Sequence, residues 1–190
     1  MFSCCGKKGF EKGNNLGVMR IVRAESAISG YIKPKKSRPA AVIVLMALEV
    51  ILAFLGFASG INFLLDPSGG THGMDAALLE TTPIGNFTPV GLFFVACYGI
   101  LPSLATFGLW KLPRWRWTDA VNKWTGQNWA WTATAATGVI LIVWIAVEVM
   151  LIGSPNGFPR LLQVMMTLMG VVILALAMLP RVRSFTKLVS

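Results

Sequence analysis

Two carboxylic acids interrupt long apolar stretches of this sequence. Glu49 lies within residues 40–65 and Glu148 within residues 130–153, in segments that otherwise contain no charged side chain. A charged group costs about 2.5–3.5 kcal/mol at the centre of a bilayer, so intramembrane acids commonly mark proton or ion pathways. Helical rise separates the two carboxyls by about 15 Å along the membrane normal, which excludes a paired acid–base site. The pattern predicts either interhelical hydrogen bonds or a proton or solute path.

Small residues surround Glu49 on one side of its helix. Ala53, Gly56 and Gly60 follow it at successive turns and share its face. Gly56 and Gly60 form a small-xxx-small pair, which is the type of surface that packs against another helix. We therefore expect Glu49 to face protein, and to be protonated because an unpaired ionised carboxyl is costly there.

A second set of polar residues is predicted near the outer, non-cytoplasmic surface of the membrane. Its members are Asn62, Glu148 and Gln163 within the spans, with Asp66, His72 and Arg160 at the rim. These residues fall at similar depths on neighbouring helices, so we expect a polar cluster that opens outward. A single histidine without a second histidine or a cysteine nearby does not make a metal site.

Four apolar stretches position these groups. They are residues 40–65, 89–110, 130–153 and 158–179. Each is long enough to cross a bilayer, since a helical span needs about 20 apolar residues. The chain is 55% hydrophobic and 13% charged. The predicted fold class is all-α: an integral membrane four-helix bundle over residues 40–180.

The basic residues predict the orientation of the bundle. All but one of the 17 Lys and Arg residues fall in 1–39, 111–123 and 181–187. Cytoplasmic loops keep an excess of such residues, so both termini and the middle loop are expected in the cytoplasm. The expected location is a prokaryotic cytoplasmic (inner) membrane. The net charge of +9 is then matched by anionic lipid headgroups, and nucleic acid is not an expected partner.

Residues 1–39 form a basic cytoplasmic segment in this reading. Residues 16–32 have helical periodicity, and they predict an amphipathic helix that lies on the membrane surface or docks against a partner protein. Cys4 and Cys5 could accept an acyl chain. The three cysteines contain no C-x-x-C pair, so neither thiol exchange nor a zinc site is predicted. Residues 181–190 are predicted to be a basic cytoplasmic tail.

Six of the seven tryptophans lie in one short region. They are Trp110, Trp115, Trp117, Trp124, Trp129 and Trp131. Indoles prefer the headgroup region, where the ring is apolar and the N–H is hydrated, so an interfacial belt is predicted. The functional alternative is a surface that contacts a lipid, quinone or pigment. No cofactor is predicted.

The stretch GINFLLDPSG at residues 60–69 carries a resemblance, with Gly73-Met74, Leu78-Leu79, Thr82-Pro83 and Gly91-Leu92 after it. It resembles a broad set of uncharacterised prokaryotic four-span membrane proteins with a DPSG outer loop, loosely like the DoxX group, over residues 45–175. The resemblance implies a small four-helix bundle with an acidic residue where Glu49 falls. DoxX-like proteins also suggest redox accessory roles, although this chain lacks cysteine pairs.

No phosphate-binding loop, nucleophile elbow or H-E-x-x-H motif occurs, and the chain is not expected to be an enzyme. The predicted function is a non-catalytic accessory subunit of a larger membrane complex, bioenergetic complexes included. The predicted partners are the lipid bilayer and other membrane subunits. The alternatives are a small transporter or channel that uses Glu49 and Glu148, or a membrane redox or quinone-binding partner.

Overall fold

The computed structural model describes residues 38–72, 84–113, 115–153 and 158–187. Within these residues the secondary-structure elements longer than a single residue are all helices. Four of the helices are long and apolar enough to cross a membrane. The prediction of an all-α, four-helix membrane architecture is confirmed at this level. The predicted helix at 16–32 and the cysteines Cys4 and Cys5 lie outside the described residues. The cytoplasmic placement of the termini stays a prediction.

The helix boundaries follow the apolar stretches to within a single residue. The first span is α1, Ala40–Leu65. The second span is composite, with α2 at Thr88–Phe93, a π-helical segment at Phe94–Ile100 and α3 at Leu101–Lys111. A short helix, α4, covers Asp119–Thr125. The third span is α5 (Trp129–Ile152) and the fourth span is α6 (Phe158–Met178). The last helix, α7, covers Pro180–Thr186.

Successive spans pack against each other. The first and fourth spans close the ring, and they make less contact than any other pair of neighbouring spans. Glycines set the closest approaches. A Cβ atom at Gly56 would overlap the Tyr98 carbonyl group of the second span, and one at Gly60 would lie 2.9 Å from the Gly91 oxygen. The face of Gly56 and Gly60 is therefore an internal helix contact. A second close approach joins Gly138 and Gly170 of the third and fourth spans.

The second span changes its helical geometry before Pro102. The sequence predicts a kink at this proline, which has no N–H to donate. In the structure the helix widens into the π-helical segment, which continues without a break into α3 at Leu101, so the proline lies directly after a change in the hydrogen-bonding pattern. The Ser103 hydroxyl donates to the Gly99 carbonyl oxygen at 2.8 Å. Such π-helical turns often occur at functional sites.

We call the end of the bundle that contains Arg38, residues 110–131 and residues 177–187 the basic end. The tryptophans of the predicted belt differ in how exposed their side chains are. Trp124 is 88% and Trp110 54% exposed, as an interfacial role requires, whereas Trp129 is only 6% exposed. Its indole donates to the Pro113 carbonyl at 3.1 Å and stacks on Trp115 at 5.0 Å.

Trp131 is also held within the protein, because its N–H donates to the Ala177 carbonyl at 2.8 Å. Trp129 and Trp131 thus donate to backbone carbonyls of the protein itself, and the interfacial belt stays a prediction. The side chain of Trp117 lies outside the described part of the chain.

The predicted basic tail begins with a docked helix. Val182, Phe185 and Thr186 of α7 are buried against the bundle. The Thr186 hydroxyl donates to Gln127 Oε1 at 3.0 Å, with the Val182 carbonyl an alternative acceptor at 3.1 Å. The Asn128 N–H donates to the Thr186 carbonyl at 2.9 Å. These bonds attach α7 to the segment that enters the third span.

Replacing Thr186 by valine is expected to loosen α7. Valine keeps the shape of the side chain but leaves the buried Gln127 oxygen without its donor, which costs about 1–3 kcal/mol. Amide hydrogen exchange over residues 180–187 should therefore quicken. The matched control is Ser184→Ala, which removes an exposed hydroxyl of the same helix. Equal exchange in the two variants would contradict this account of α7.

Candidate functional site

A cavity lies between all four spans, in the half of the bundle away from the basic end. Its volume is about 90 Å³, which is enough room for several water molecules. Leu55 of the first span and Leu162 of the fourth line it and are themselves exposed. The cavity therefore adjoins the seam at which the ring of helices is least closely packed.

Two of the predicted polar residues meet in this cavity. Gln163 of the fourth span donates its side-chain N–H to Glu148 Oε1 of the third span at 3.0 Å, and it lies 3.3 Å from the Gly153 carbonyl oxygen. Both side chains line the cavity. The bond to Gln163 orients the Glu148 carboxyl and leaves the second carboxyl oxygen as an acceptor. Arg160 lines an adjoining groove together with Gln163.

The other members of the predicted cluster lie elsewhere. Asn62 is half-buried and is not part of the cavity lining. Asp66 turns back onto its own loop, where it accepts from the Ser68 hydroxyl at 2.5 Å and from the N–H and hydroxyl of Thr71 at 2.7 Å. The carboxylate of an Asp in a turn commonly accepts hydrogen bonds from its own loop. Because Asp66 is paired locally in this way, it does not join the predicted cluster that opens outward. The His72 side chain lies outside the described residues.

The Asp66 loop is expected to weaken in acid. Hydrogen bonds from Ser68 and Thr71 hold the pKa of the Asp66 carboxyl well below its usual range. A carboxyl whose pKa is depressed by folding stabilises the loop above its unfolded pKa of about 4, and that contribution is lost as the pH falls through the lower folded value. Exchange of the Thr71 amide, corrected for its intrinsic pH dependence, should lose protection in that acidic range. Asp66→Asn should remove this pH dependence.

Aromatic rings form one wall of the cavity. Phe94 and Tyr98 of the π-helical segment and Trp144 of the third span line it. The Phe94 ring centre lies 5.3 Å from that of Tyr98 and 5.5 Å from that of Trp144. The buried Trp144 N–H has no hydrogen-bond partner among the described residues. The sequence offers one signal for this wall, since Trp144 is the single tryptophan remote from the basic end.

Glu49 is separated from the cavity by two leucines. Its side chain is 0% exposed, and both carboxyl oxygens lack a hydrogen-bond partner within the described part of the chain. The Thr137 hydroxyl of the third span is close enough to offer the Glu49 carboxyl a hydrogen bond, but in this geometry it donates to the Ala133 carbonyl at 3.0 Å instead. Leu52 and Leu141, one turn further along these two helices, line the cavity. Glu49 therefore lies about one helical turn beyond the cavity floor.

The described residues contain no group of three or more His, Cys, Asp or Glu side chains that could hold a metal ion. Cys97, on the second span, is a free thiol. The polar groups that line the cavity are thus the Glu148 carboxyl, the Gln163 amide, the Ser59 hydroxyl, the Tyr98 phenol and the Trp144 indole, and the Glu49 carboxyl lies one turn away.

The fold and this site define a polytopic four-helix membrane protein with a buried carboxyl one helical turn from a largely apolar cavity that Glu148 and Gln163 line. No family model, no curated protein and no solved structure matches the chain. The resemblance to DoxX-like proteins therefore stays a prediction.

Proposed function

We propose that this protein is a small membrane transporter that binds a solute in the cavity at Glu148 and exchanges a proton at Glu49. The observation that carries the proposal is the position of Glu49, a fully buried carboxyl whose oxygens have no hydrogen-bond partner within the described part of the chain, one turn beyond the cavity that Glu148 lines. An unpaired polar group in a protein interior calls for an explanation. An ionisable residue inside a membrane is by default a functional one.

Each residue has a role in this proposal. Glu148, oriented by Gln163, supplies the binding group at the cavity. Leu52 and Leu141 form the apolar barrier between the cavity and Glu49. Movement of the first span against the third would part these two leucines and let a proton reach Glu49. The limited contact between the first and fourth spans supports such a movement at that seam, provided that the second span moves together with the first, on which it is closely packed.

Proton flux in proteoliposomes tests the proposal without knowledge of the solute. Purified full-length protein is reconstituted with a pH-sensitive dye inside, and a pH gradient is imposed. We expect a flux above that of empty liposomes, at least a tenfold loss of it in Glu49→Gln, and a clear reduction in Glu148→Gln. Asn62→Ala, which changes a polar residue of a span outside the cavity, is the control. Wild-type flux in Glu49→Gln would overturn the proposal.

A second candidate function is a non-catalytic accessory subunit of a larger membrane complex. The observation that favours it is the same seam, where Leu55 and Leu162 are exposed beside the cavity and a helix of another subunit could pack. The native mass of the tagged protein in mild detergent tests this candidate. Stoichiometric partner chains would support it, whereas a particle of one to four copies alone would exclude it.

A further inference from the structure

We infer that the cavity is a binding site for a small alkylammonium ion. The inference deepens the proposed function, on which it rests, by naming the chemical class of the solute. It is carried by the composition of the cavity, in which one carboxyl faces an aromatic wall and apolar side chains make up most of the remaining surface.

The charge of the cavity selects a cation. Among the described residues that line the cavity, Glu148 carries the one carboxyl and none has a basic side chain. Coulomb interactions strengthen as the effective dielectric falls from that of water, so an ionised Glu148 attracts a cation and repels an anion. Gln163 already bonds to one carboxyl oxygen, and the other oxygen is available to an N–H of the ligand or to its positive charge.

The aromatic wall selects an organic cation over a hydrated metal ion. Tryptophan is the best of the aromatic partners for a cation, because an ammonium group over a ring face is attracted by the electron density of that face. Phe94, Tyr98 and Trp144 form this wall, and the Trp144 indole is itself stacked on Phe93, with ring centres 4.4 Å apart. A metal ion instead prefers a shell of several oxygen ligands, which this lining does not offer. Methyl groups on nitrogen would also contact Leu141 and Met166, which line the same cavity.

The size of the cavity limits the ligand. About 90 Å³ is less than the ~150 Å³ of a cavity that accepts benzene. The cavity therefore encloses only part of a methylated ammonium group such as tetramethylammonium, and the rest of the ligand extends into the seam at Leu55 and Leu162.

Calorimetric titration of the full-length protein in detergent with tetramethylammonium tests the inference. The comparison ligands are tert-butanol, a neutral molecule of similar shape, and sodium ion. We expect saturable binding of tetramethylammonium and none of tert-butanol or sodium at the same concentrations. Equal binding of tert-butanol would overturn the inference, since the site would then recognise shape and not charge, and so would binding of sodium alone.

Variants locate the binding. Glu148→Gln should weaken tetramethylammonium binding at least tenfold and Trp144→Leu at least threefold, while Asn62→Ala should not change it. Arg160→Gln removes a positive charge near the site and should strengthen binding. If Glu148→Gln does not fold, Trp144→Leu and Arg160→Gln still decide the question, and unchanged affinity in both would overturn the inference.

The two proposals fail separately. Saturable cation binding without proton flux would leave the binding site standing and overturn the transport function. Proton flux without cation binding would overturn the inferred binding site and leave the transport function standing.

Discussion

Replacing Glu49 by leucine is expected to stabilise the protein and to abolish its proton flux. The carboxyl is fully buried, and neither of its oxygens has a hydrogen-bond partner among the described residues. An unsatisfied buried polar group costs about 1–3 kcal/mol, and replacing it with an apolar group of similar size recovers much of that cost. Leucine matches the apolar neighbours Leu52 and Leu141. The gain is measured as the free energy of unfolding in mixed micelles, and the loss as flux in proteoliposomes.

Glu49→Gln is the control for this experiment. Glutamine keeps the size and polarity of the side chain but cannot exchange a proton, so it should lose flux without the gain in stability. A gain in stability accompanied by a loss of function is typical of residues that natural proteins retain for activity. A destabilised leucine variant would contradict this view of Glu49, because it would mean that the carboxyl makes a stabilising interaction.

Gly56→Ala is expected to be the most damaging single-methyl substitution in the bundle. The added Cβ would overlap the carbonyl group of Tyr98, and backbone cannot move aside as a flexible side chain can. Overpacking a core costs about 1–3 kcal/mol and occasionally more. Since Tyr98 also forms part of the aromatic wall, tetramethylammonium affinity should fall together with the free energy of unfolding.

Gly85→Ala is the matched control, since a Cβ added there meets no atom within 4 Å. It should leave both the free energy of unfolding and the affinity unchanged. If Gly56→Ala were as stable as this control, the first and second spans would have to be further apart than the structure places them.

The sequence predicts the four spans well because the length of an apolar stretch sets the length of a membrane helix directly. The position of a residue within its apolar stretch also predicts its depth along the membrane normal. Glu148 and Gln163 are predicted at the same depth, and in the structure their side chains are hydrogen-bonded to each other. Depth does not give the direction in which a side chain points around the helix. Asn62 has a suitable depth but is not in the cavity lining, and Asp66 is satisfied by its own loop.

The aromatic wall and the docked α7 are harder to predict. A π-helical segment adds a residue to a turn, so the regular periodicity used to assign faces does not continue through Phe94–Ile100. The docking of α7 depends on Thr186 and Gln127, which are far apart in the sequence and meet only in the folded chain. Neither residue differs from an ordinary polar residue of a loop when it is read in isolation.

The π-helical segment also makes the second span two helices in series. The half that begins at Thr88 packs through Gly91 against the first span, and the half that ends at Lys111 packs through Gly108 against Trp129 and Ala130. A uniform α-helix would have to rotate as one rod, whereas a widened turn with an altered bonding pattern can take up a change of twist locally. A change of twist in the half that begins at Thr88 would therefore be taken up at the cavity, and the half that is anchored at the basic end would stay in place.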